Sequence, residues 1–173
     1  MSKAVEQRAQ VLELSKYCDV KEKDRAKCLD ACGRLTDSIY EGLDVRREIQ
    51  AVEAQKLGET LLLWDKKELA GLAVCHCGAG SEAGSENCYV KFAATRPSGN
   101  VRSNFGLLLD ACETLAKEKR MPRLVAGMNA ARHEAYRLMI QRGFRIDFQG
   151  VAMQKPNEPG YNRPDVFVID DLR

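Results

Sequence analysis

The feature that most constrains the fold of this chain is a pair of apolar segments separated by a short polar turn. The segments read TLLLW (60–64) and LAGLAVCHC (69–77), and the turn between them reads DKKE (65–68). Short apolar runs flanked by polar turn residues are typical of β-strands joined in a hairpin. The sequence therefore predicts an apolar β-hairpin, against which helices must pack.

Two amphipathic helices are predicted before the hairpin. The segment from Asp24 to Gly42 repeats apolar residues at near-helical spacing, and Gly42 provides a stop. A second helix over 44–56 carries its apolar residues on one stripe. Two consecutive helices thus precede the first clear strand.

The N-terminal residues allow two interpretations. AVEQRAQVLEL (4–14) fits a helix, whereas VLELS (11–15) fits a short first strand. We therefore expect residues 1–23 to form an N-terminal extension or a first strand, and residues 24–173 to form a single domain. With 173 residues, of which 45% are hydrophobic, the chain is long enough for one well-buried core.

Beyond the hairpin, the pattern alternates between strands and helices. A small polar loop, GAGSEAGSE (78–86), leads into the strand NCYVKFAATR (87–96), which Pro97 ends. The remaining predicted elements are a helix over 105–119, a strand over 122–129, a helix over 129–144 and two strands over 148–155 and 165–171. This order predicts a mixed α/β (α+β) fold, in which helices flank a mostly antiparallel twisted sheet, and it is not that of a repeating βα barrel.

Charge and composition argue against several classes of protein. The net charge is +2 with basic and acidic residues interspersed, so no global field favours nucleic acid or an anionic membrane surface. No apolar run approaches the roughly 20 residues that span a bilayer, and the start MSKAVEQRAQ lacks the apolar segment of a secretory signal. We expect a cytoplasmic protein.

The cysteines do not indicate a metal site. In a strand, Cys75 and Cys77 point to one face and His76 to the other, so these three side chains cannot bind one ion together. Cys88 could supply a third thiolate, but a fourth ligand is not evident. We expect no metal, and interpret the cysteines as small apolar residues that line the sheet.

The segments after the hairpin resemble the GNAT N-acetyltransferase superfamily. The resemblance covers about residues 24–173, and the Gly143–Phe144 corner that ends a helix is its strongest part. It is carried by CYVKFAATRP (88–97), FGLLLDACETLAKEK (105–119), PRLVAGMN (122–129) and the helix that ends in RGF. The tail 155–173 is also similar to the end of the second half of certain tandem GNAT proteins.

The resemblance implies splayed central strands and an acetyl-CoA (or other acyl-CoA) cofactor. The cofactor's pantetheine would pair with the free edge of the strand around 91–96. Its pyrophosphate would lie on the amides that begin the next helix, and arginines would contact the phosphates. The implied cofactor-binding residues are Phe92, Ala93, Ala94, Arg96, Gly99, Arg102, Ser103, Asn104, Phe105, Gly106 and Asn129.

The phosphate loop departs from the family pattern at two positions. Counted back from Gly106, Asn104 stands where the first glycine belongs and Val101 where an Arg or Gln belongs. Asn104 could crowd the approach of the pyrophosphate, whereas Gly99 would serve in a shifted loop. The alternative is an ordinary helix start with Ser103 or Asn104 as N-cap. Asn129 likewise fits either a cofactor contact or an N-cap.

The proton donor also departs from the pattern. The family commonly places a tyrosine four residues before the glycine of the Gly-Phe corner, where this chain has Met139. Tyr136 lies about one turn away and is the candidate proton donor, although a packed structural aromatic is the competing interpretation. No single residue stands out as the general base; the candidates include Glu82, His76 and His133.

Two functions follow from these patterns. The first is an acyl-CoA-dependent N-acyltransferase that transfers an acetyl or short acyl group to a primary amine of a small molecule or peptide. The alternative is a catalytically silent GNAT-like domain that binds a partner or senses acyl-CoA. A homodimer or a second GNAT domain is a possible partner, and neither nucleic acid nor a membrane is expected.

Overall fold

The computed structural model describes residues 12–151, 153, 155 and 158–170. Within these residues it contains six β-strands and four α-helices. The elements are β1 (Leu12–Lys16), α1 (Glu22–Asp37), α2 (Arg46–Gln55), β2 (Gly58–Asp65), β3 (Glu68–Cys77), β4 (Asn87–Thr95), α3 (Val101–Glu118), β5 (Arg123–Ala126), α4 (His133–Gln141) and β6 (Val168–Asp170).

The six strands form one mixed, mostly antiparallel sheet. Its order is β1-β2-β3-β4-β5, and β6 also pairs with β4. The β4–β5 pair is parallel, and all the other pairs are antiparallel. The predicted hairpin is confirmed as β2 and β3, where Leu62 pairs with Leu72 and Asp65 with Glu68. The predicted mixed fold, with helices flanking a mostly antiparallel sheet, is confirmed.

Helices cover both faces of the sheet because successive strand residues point to opposite sides. One face buries Leu62, Leu72 and Val74 against α1 and α2. The opposite face buries Ala73 and Cys75 against α3 and α4. These alternating side chains explain why the predicted strand 69–77 is apolar along nearly its whole length: both of its faces are core.

The first described residues form an edge strand. Residues Leu12–Lys16 pair with β2, as Leu14 with Leu63. The predicted helix over 4–14 lies largely outside the described residues. The proposed division at residue 23 stays a prediction.

The starts of two helices differ from the predicted ones. Helix α3 begins at Val101, four residues before the predicted start, and Asn100 precedes it. The interpretation of Ser103 or Asn104 as its N-cap is therefore wrong. Helix α4 begins at His133, and the Arg132 amide donates to the Asn129 carbonyl in a preceding turn. Asn129 is consequently not the N-cap of α4.

The predicted strand over 148–155 is not formed by its described residues. Phe148, Val151 and Met153 are 79%, 86% and 90% exposed. The final predicted strand is present but short, spanning Val168–Asp170. The physical reason for the difference is that an apolar alternating pattern forms a strand where one of its faces is buried, and these apolar side chains lie in solvent and not on the core.

None of the helices in the described part of the chain combines the length and the apolar character that a membrane crossing requires.

Gly58 is required where β2 pairs with β3. A Cβ placed on Gly58 would lie 1.9 Å from the carbonyl oxygen of Cys75, which is backbone and cannot rotate away. We expect Gly58→Ala to reduce the free energy of unfolding by about 1–3 kcal/mol, because the strands must separate to admit the methyl group. Urea denaturation measures this loss.

Gly99→Ala is the matched control, since a Cβ there meets no atom within 4 Å. Equal stability of the two variants would contradict the proposed clash.

Candidate functional site

A wedge opens in the sheet between β4 and β5. The two strands pair only where Asn87–Val90 lies beside Arg123–Ala126, and β4 then continues to Thr95 without β5. The separation follows a β-bulge, because Cys75 pairs with Val90 whereas its neighbour Val74 pairs with Phe92, leaving Lys91 as the extra residue. Bulges bend and twist the strand that carries them. This wedge is the splay that the sequence resemblance implied.

Strand β6 lies in the wedge. Phe92 pairs with Asp170, Ala93 with Ile169 and Ala94 with Val168. The ladder is extended by the Thr95 amide, which donates to the carbonyl of Phe167 at 3.2 Å. Strand β3 holds the other edge of β4. The edge at Phe92, Ala93 and Ala94 is the one that the resemblance implied for the cofactor, and in this structure it is paired with β6.

A buried arginine fixes β6 in place. Arg132 immediately precedes α4 and is 1% exposed. Its Nη1 donates to the carbonyl of Val168 at 2.9 Å and to Oδ1 of Asp170 at 2.8 Å, and its Nη2 donates to Oδ2 of Asp170 at 2.8 Å. Asn162 Oδ1 accepts from Nε at 3.0 Å and from Nη2 at 2.7 Å. The bidentate carboxylate pair compensates a charge that burial would otherwise strongly disfavour.

Tyr161 completes this network. Its hydroxyl donates to Oδ2 of Asp170 at 2.7 Å, and the Arg132 guanidinium lies 4.8 Å from the centre of its ring. Burial, followed by the hydrogen bond to Asp170, raises the pKa of Tyr161 to about 12. The phenol therefore stays protonated and acts as a donor over the whole neutral range.

Apolar packing adds to the hold on β6. Phe167 meets Phe105 of α3 edge to face, with ring centres 5.4 Å apart. Val168 and Ile169 are fully buried on opposite faces of the sheet. Phe105, predicted as a cofactor contact, is thus a core residue whose ring packs against the segment that enters the wedge.

The first turn of α3 faces solvent beside the wedge. Arg102 and Ser103 are exposed, and no side chain caps the helix at Asn100. The turn contains no acidic residue, so the positive end of the helix dipole is not neutralised locally. A Cβ on Gly99 would meet no atom within 4 Å, and one on Gly106 would meet only Arg142 Nη1, at 4.0 Å. This open surface fits an anion such as a pyrophosphate.

The remaining predicted contacts are engaged elsewhere or buried. Arg96 donates to the Leu69 carbonyl and to Glu68, which places its guanidinium at the β2–β3 turn and not at the start of α3. Arg102 bonds to Glu134 and Gln141 of α4. Asn104 is 3% exposed and points into the protein. Asn129 accepts from the Ala131 amide through its side chain, which stabilises the turn before α4.

Tyr136 is half-buried on α4. No residue in the described part of the chain forms a hydrogen bond with its hydroxyl. Met139, which stands where the family commonly has a tyrosine, is 5% exposed and belongs to the core. The hydroxyl of Tyr136 is thus available to a ligand, and Met139 is a packing residue.

A charged cluster lies at the bulge, and it joins the base candidates His76 and Glu82 to two residues that the sequence did not indicate, Lys91 and Glu48. Lys91 is 6% exposed and donates to Glu82 from the preceding loop, and its Nζ lies 3.5 Å from Oε1 of Glu48 on α2. His76 Nε2 lies 3.4 Å from the same oxygen. The cluster therefore compensates the charge of Lys91 and joins β3, β4, α2 and the loop. The signal for it was a lysine within an otherwise apolar strand.

The cysteines face one another in pairs. Cys75 Sγ lies 3.9 Å from Cys112 Sγ, and Cys77 Sγ lies 3.6 Å from Cys88 Sγ. The described residues contain no group of three or more His, Cys, Asp or Glu side chains arranged to hold a metal ion.

The pair formed by Arg132 and Asp170 makes a large contribution to stability. We expect Asp170→Asn to lower the free energy of unfolding by about 3 kcal/mol, because it leaves a buried guanidinium without its counter-charge. Urea denaturation measures the change. Glu68→Gln is the control: it breaks the exposed Arg96–Glu68 pair and should cost less than about 1 kcal/mol. Similar losses for both variants would contradict the structural role assigned to Asp170.

The raised pKa of Tyr161 predicts a loss of stability at alkaline pH. Between pH 10.0, the ordinary value, and about 12, the phenol ionises in the unfolded chain before it ionises in the folded one. Stability is therefore fully present below this window and falls as the pH rises through it. Tyr161→Phe should make the decline shallower in urea denaturation across the window. Burial also raises the pKa of Tyr17, so some decline of stability with pH remains in the variant. An unchanged slope of stability against pH would contradict the role assigned to Tyr161.

No protein-family model matches the chain, and no curated protein matches it in sequence. Its structure, in contrast, is similar to solved structures that it covers almost completely. A probable acetyltransferase superimposes with a TM-score of 0.62 at 14% identity, over 84% of this chain and 99% of that chain. The aminoglycoside N-acetyltransferase AAC(6')-Iy in complex with CoA also gives 0.62, at 11% identity, over 87% and 98%. A transcriptional regulator from Bacillus halodurans C-125 gives 0.59, at 16% identity, over 83% and 99%.

At these identities the similarity concerns the fold. The strand, helix, strand and helix that carried the sequence resemblance are present in this order as β4, α3, β5 and α4. The chain has the fold of the GNAT N-acetyltransferases.

Proposed function

We propose that the chain is an acyl-CoA-dependent N-acyltransferase that transfers an acetyl or short acyl group to a primary amine. The observation that carries this proposal is the wedge after the bulge of β4, with the uncapped start of α3 beside it, in a fold shared with an acetyltransferase solved with CoA. A wedge between strands suits an extended amide-containing chain. An uncapped helix start suits a pyrophosphate.

The cofactor would be held mainly by backbone groups. In the proposed complex, the strand edge at Phe92, Ala93 and Ala94 pairs with the pantetheine amides, and the first turn of α3 around Arg102 and Ser103 binds the pyrophosphate. Arg102 is exposed on the same turn, and in the complex its guanidinium would exchange its bonds to α4 for phosphate oxygens. The edge itself is occupied by β6 in this structure, and cofactor binding requires that β6 leave it.

Acyl-CoA supplies an activated thioester carbonyl, and the products are an amide and free CoA. We assign Tyr136 as the donor of the proton to the departing thiolate, because its hydroxyl has no partner among the described residues and lies on the helix that begins next to Arg132. The acceptor amine, of a small molecule or a peptide, would approach across the loop 78–86 and helices α1 and α2. The acidic residues Glu48 and Glu82 lie on that side, near the bulge.

A second candidate function is a silent GNAT-like module that binds a partner, a second copy or a second GNAT domain. It is favoured by one observation: β6 fills the wedge and is held there by Arg132. Val101 and Met139, which depart from the family pattern, also support it. A closed wedge would be a permanent structural feature of such a module.

A thiol-release assay tests the transferase. The protein is incubated with acetyl-CoA and a panel of primary amines at high concentration, and free CoA thiol is measured. We expect amine-dependent release by the native protein and about a 100-fold lower kcat for Tyr136→Phe, the lower end of what a general acid contributes. Tyr40→Phe, an equally conservative change after α1, is the control and should retain activity.

Binding measured by calorimetry separates the two candidates. If acetyl-CoA binds and no amine is acylated, the transferase assignment is wrong and an acyl-CoA-sensing role replaces it. If acetyl-CoA does not bind at all, the module that binds a protein partner is the remaining candidate.

A further inference from the structure

We infer that β6 is an internal competitor of acyl-CoA, so that the wedge alternates between a state closed by β6 and a state open to the cofactor. This inference rests on the proposed function, and it names the element that regulates the same site. The class of ligand that the wedge accepts is an extended chain with regularly spaced amides, and β6 is one such chain.

Occupation by β6 and by pantetheine is mutually exclusive. Each backbone N–H of β4 donates one hydrogen bond, and the outward edge of Phe92–Thr95 is already bonded to Phe167–Asp170. The other edge of β4 is bonded to β3. A pantetheine arm can therefore reach this edge only by replacing β6.

Arg132 favours the closed state and offers one donor to the open one. In the closed state its Nη1 donates to the carbonyl of Val168, which is a secondary amide oxygen. Pantetheine presents oxygens of the same kind, so an incoming arm can accept this one hydrogen bond when Val168 withdraws. The two bonds to the Asp170 carboxylate are lost on opening and have no such replacement. Arg132 is thus a positioning residue that sets the balance toward β6.

The connection to β6 permits it to leave. Between the end of α4 at Gln141 and the start of β6 at Val168, the described residues form neither helix nor strand. The exposed Phe148, Val151 and Met153 make little contact with the core. Strand β6 itself has only three paired residues. Its withdrawal exposes Val168 and Ile169, but the backbone pairings that join β1 to β5 do not depend on it.

Some of the contacts that keep β6 in the wedge can be removed one at a time. The hydrogen bond from Tyr161 to Asp170 links the connection to the strand, and removing it weakens the closed state without placing an unpaired charge in the core. Phe167 contributes apolar contact with Phe105. Weakening either contact raises the fraction of open molecules, and the apparent affinity for a ligand of the open state rises in proportion.

Calorimetric titration with acetyl-CoA tests the competition in the full chain. Losing one hydrogen bond corresponds to about a fivefold shift in the balance between the two states. We therefore expect Tyr161→Phe to bind acetyl-CoA about fivefold more tightly than the native protein, and Phe167→Leu to change affinity in the same direction. Tyr40→Phe is the matched control, since it removes a phenolic hydroxyl but keeps the bond between Tyr161 and Asp170; its affinity should equal that of the native protein.

Amide hydrogen exchange supplies an independent readout. With saturating acetyl-CoA, peptides covering Val168–Asp170 should exchange faster, while Thr95 stays protected by its new partner. If acetyl-CoA binds equally well to all variants and Val168–Asp170 stays protected, the competition is wrong and the proposed cofactor survives. If no variant binds acetyl-CoA, both the competition and the acyltransferase proposal are wrong.

Discussion

A single buried charge organises the second half of the molecule. Arg132 cannot be placed in the interior without acceptors for its donors, and the carboxylate of Asp170, the carbonyl of Val168 and the amide of Asn162 provide them. These partners come from a segment about 30 to 40 residues later in the chain, as the separations of 30, 36 and 38 show. The requirement to satisfy one guanidinium thus decides where the last strand lies.

The bulge at Lys91 creates the space that β6 fills. By inserting one residue opposite β3, it turns the second half of β4 away from β5 and exposes a row of backbone groups. Exposed backbone groups at an edge must be paired or solvated. The protein pairs them with its own strand β6, which the contacts of Arg132 hold in place. Edge and charge together fix the position of the last strand.

Much of this architecture could be predicted from the sequence, because periodicity is a local property. The apolar runs at 60–64 and 69–77 predicted the hairpin, and the order of elements predicted the fold. The position of β6 in the sheet could not be predicted. Three residues are too few for their pattern to identify the strand with which they pair, and nothing in the sequence marks Arg132 as buried. The strand predicted over 148–155 was wrong because an alternating pattern does not show whether a core is present to bury its apolar side chains, and here they are exposed. The residues that begin α3 are mostly polar and show no apolar periodicity, so the helical conformation of Val101–Asn104 could not be predicted.

The long separation between β4 and β6 has a kinetic consequence. Pairing Ala94 with Val168 closes a large loop, whose entropy must be lost before the hydrogen bonds form. The hairpin β2–β3 and the helices depend on much nearer contacts and can assemble earlier. The order of assembly is therefore expected to follow loop length, with the wedge side of β4 paired last.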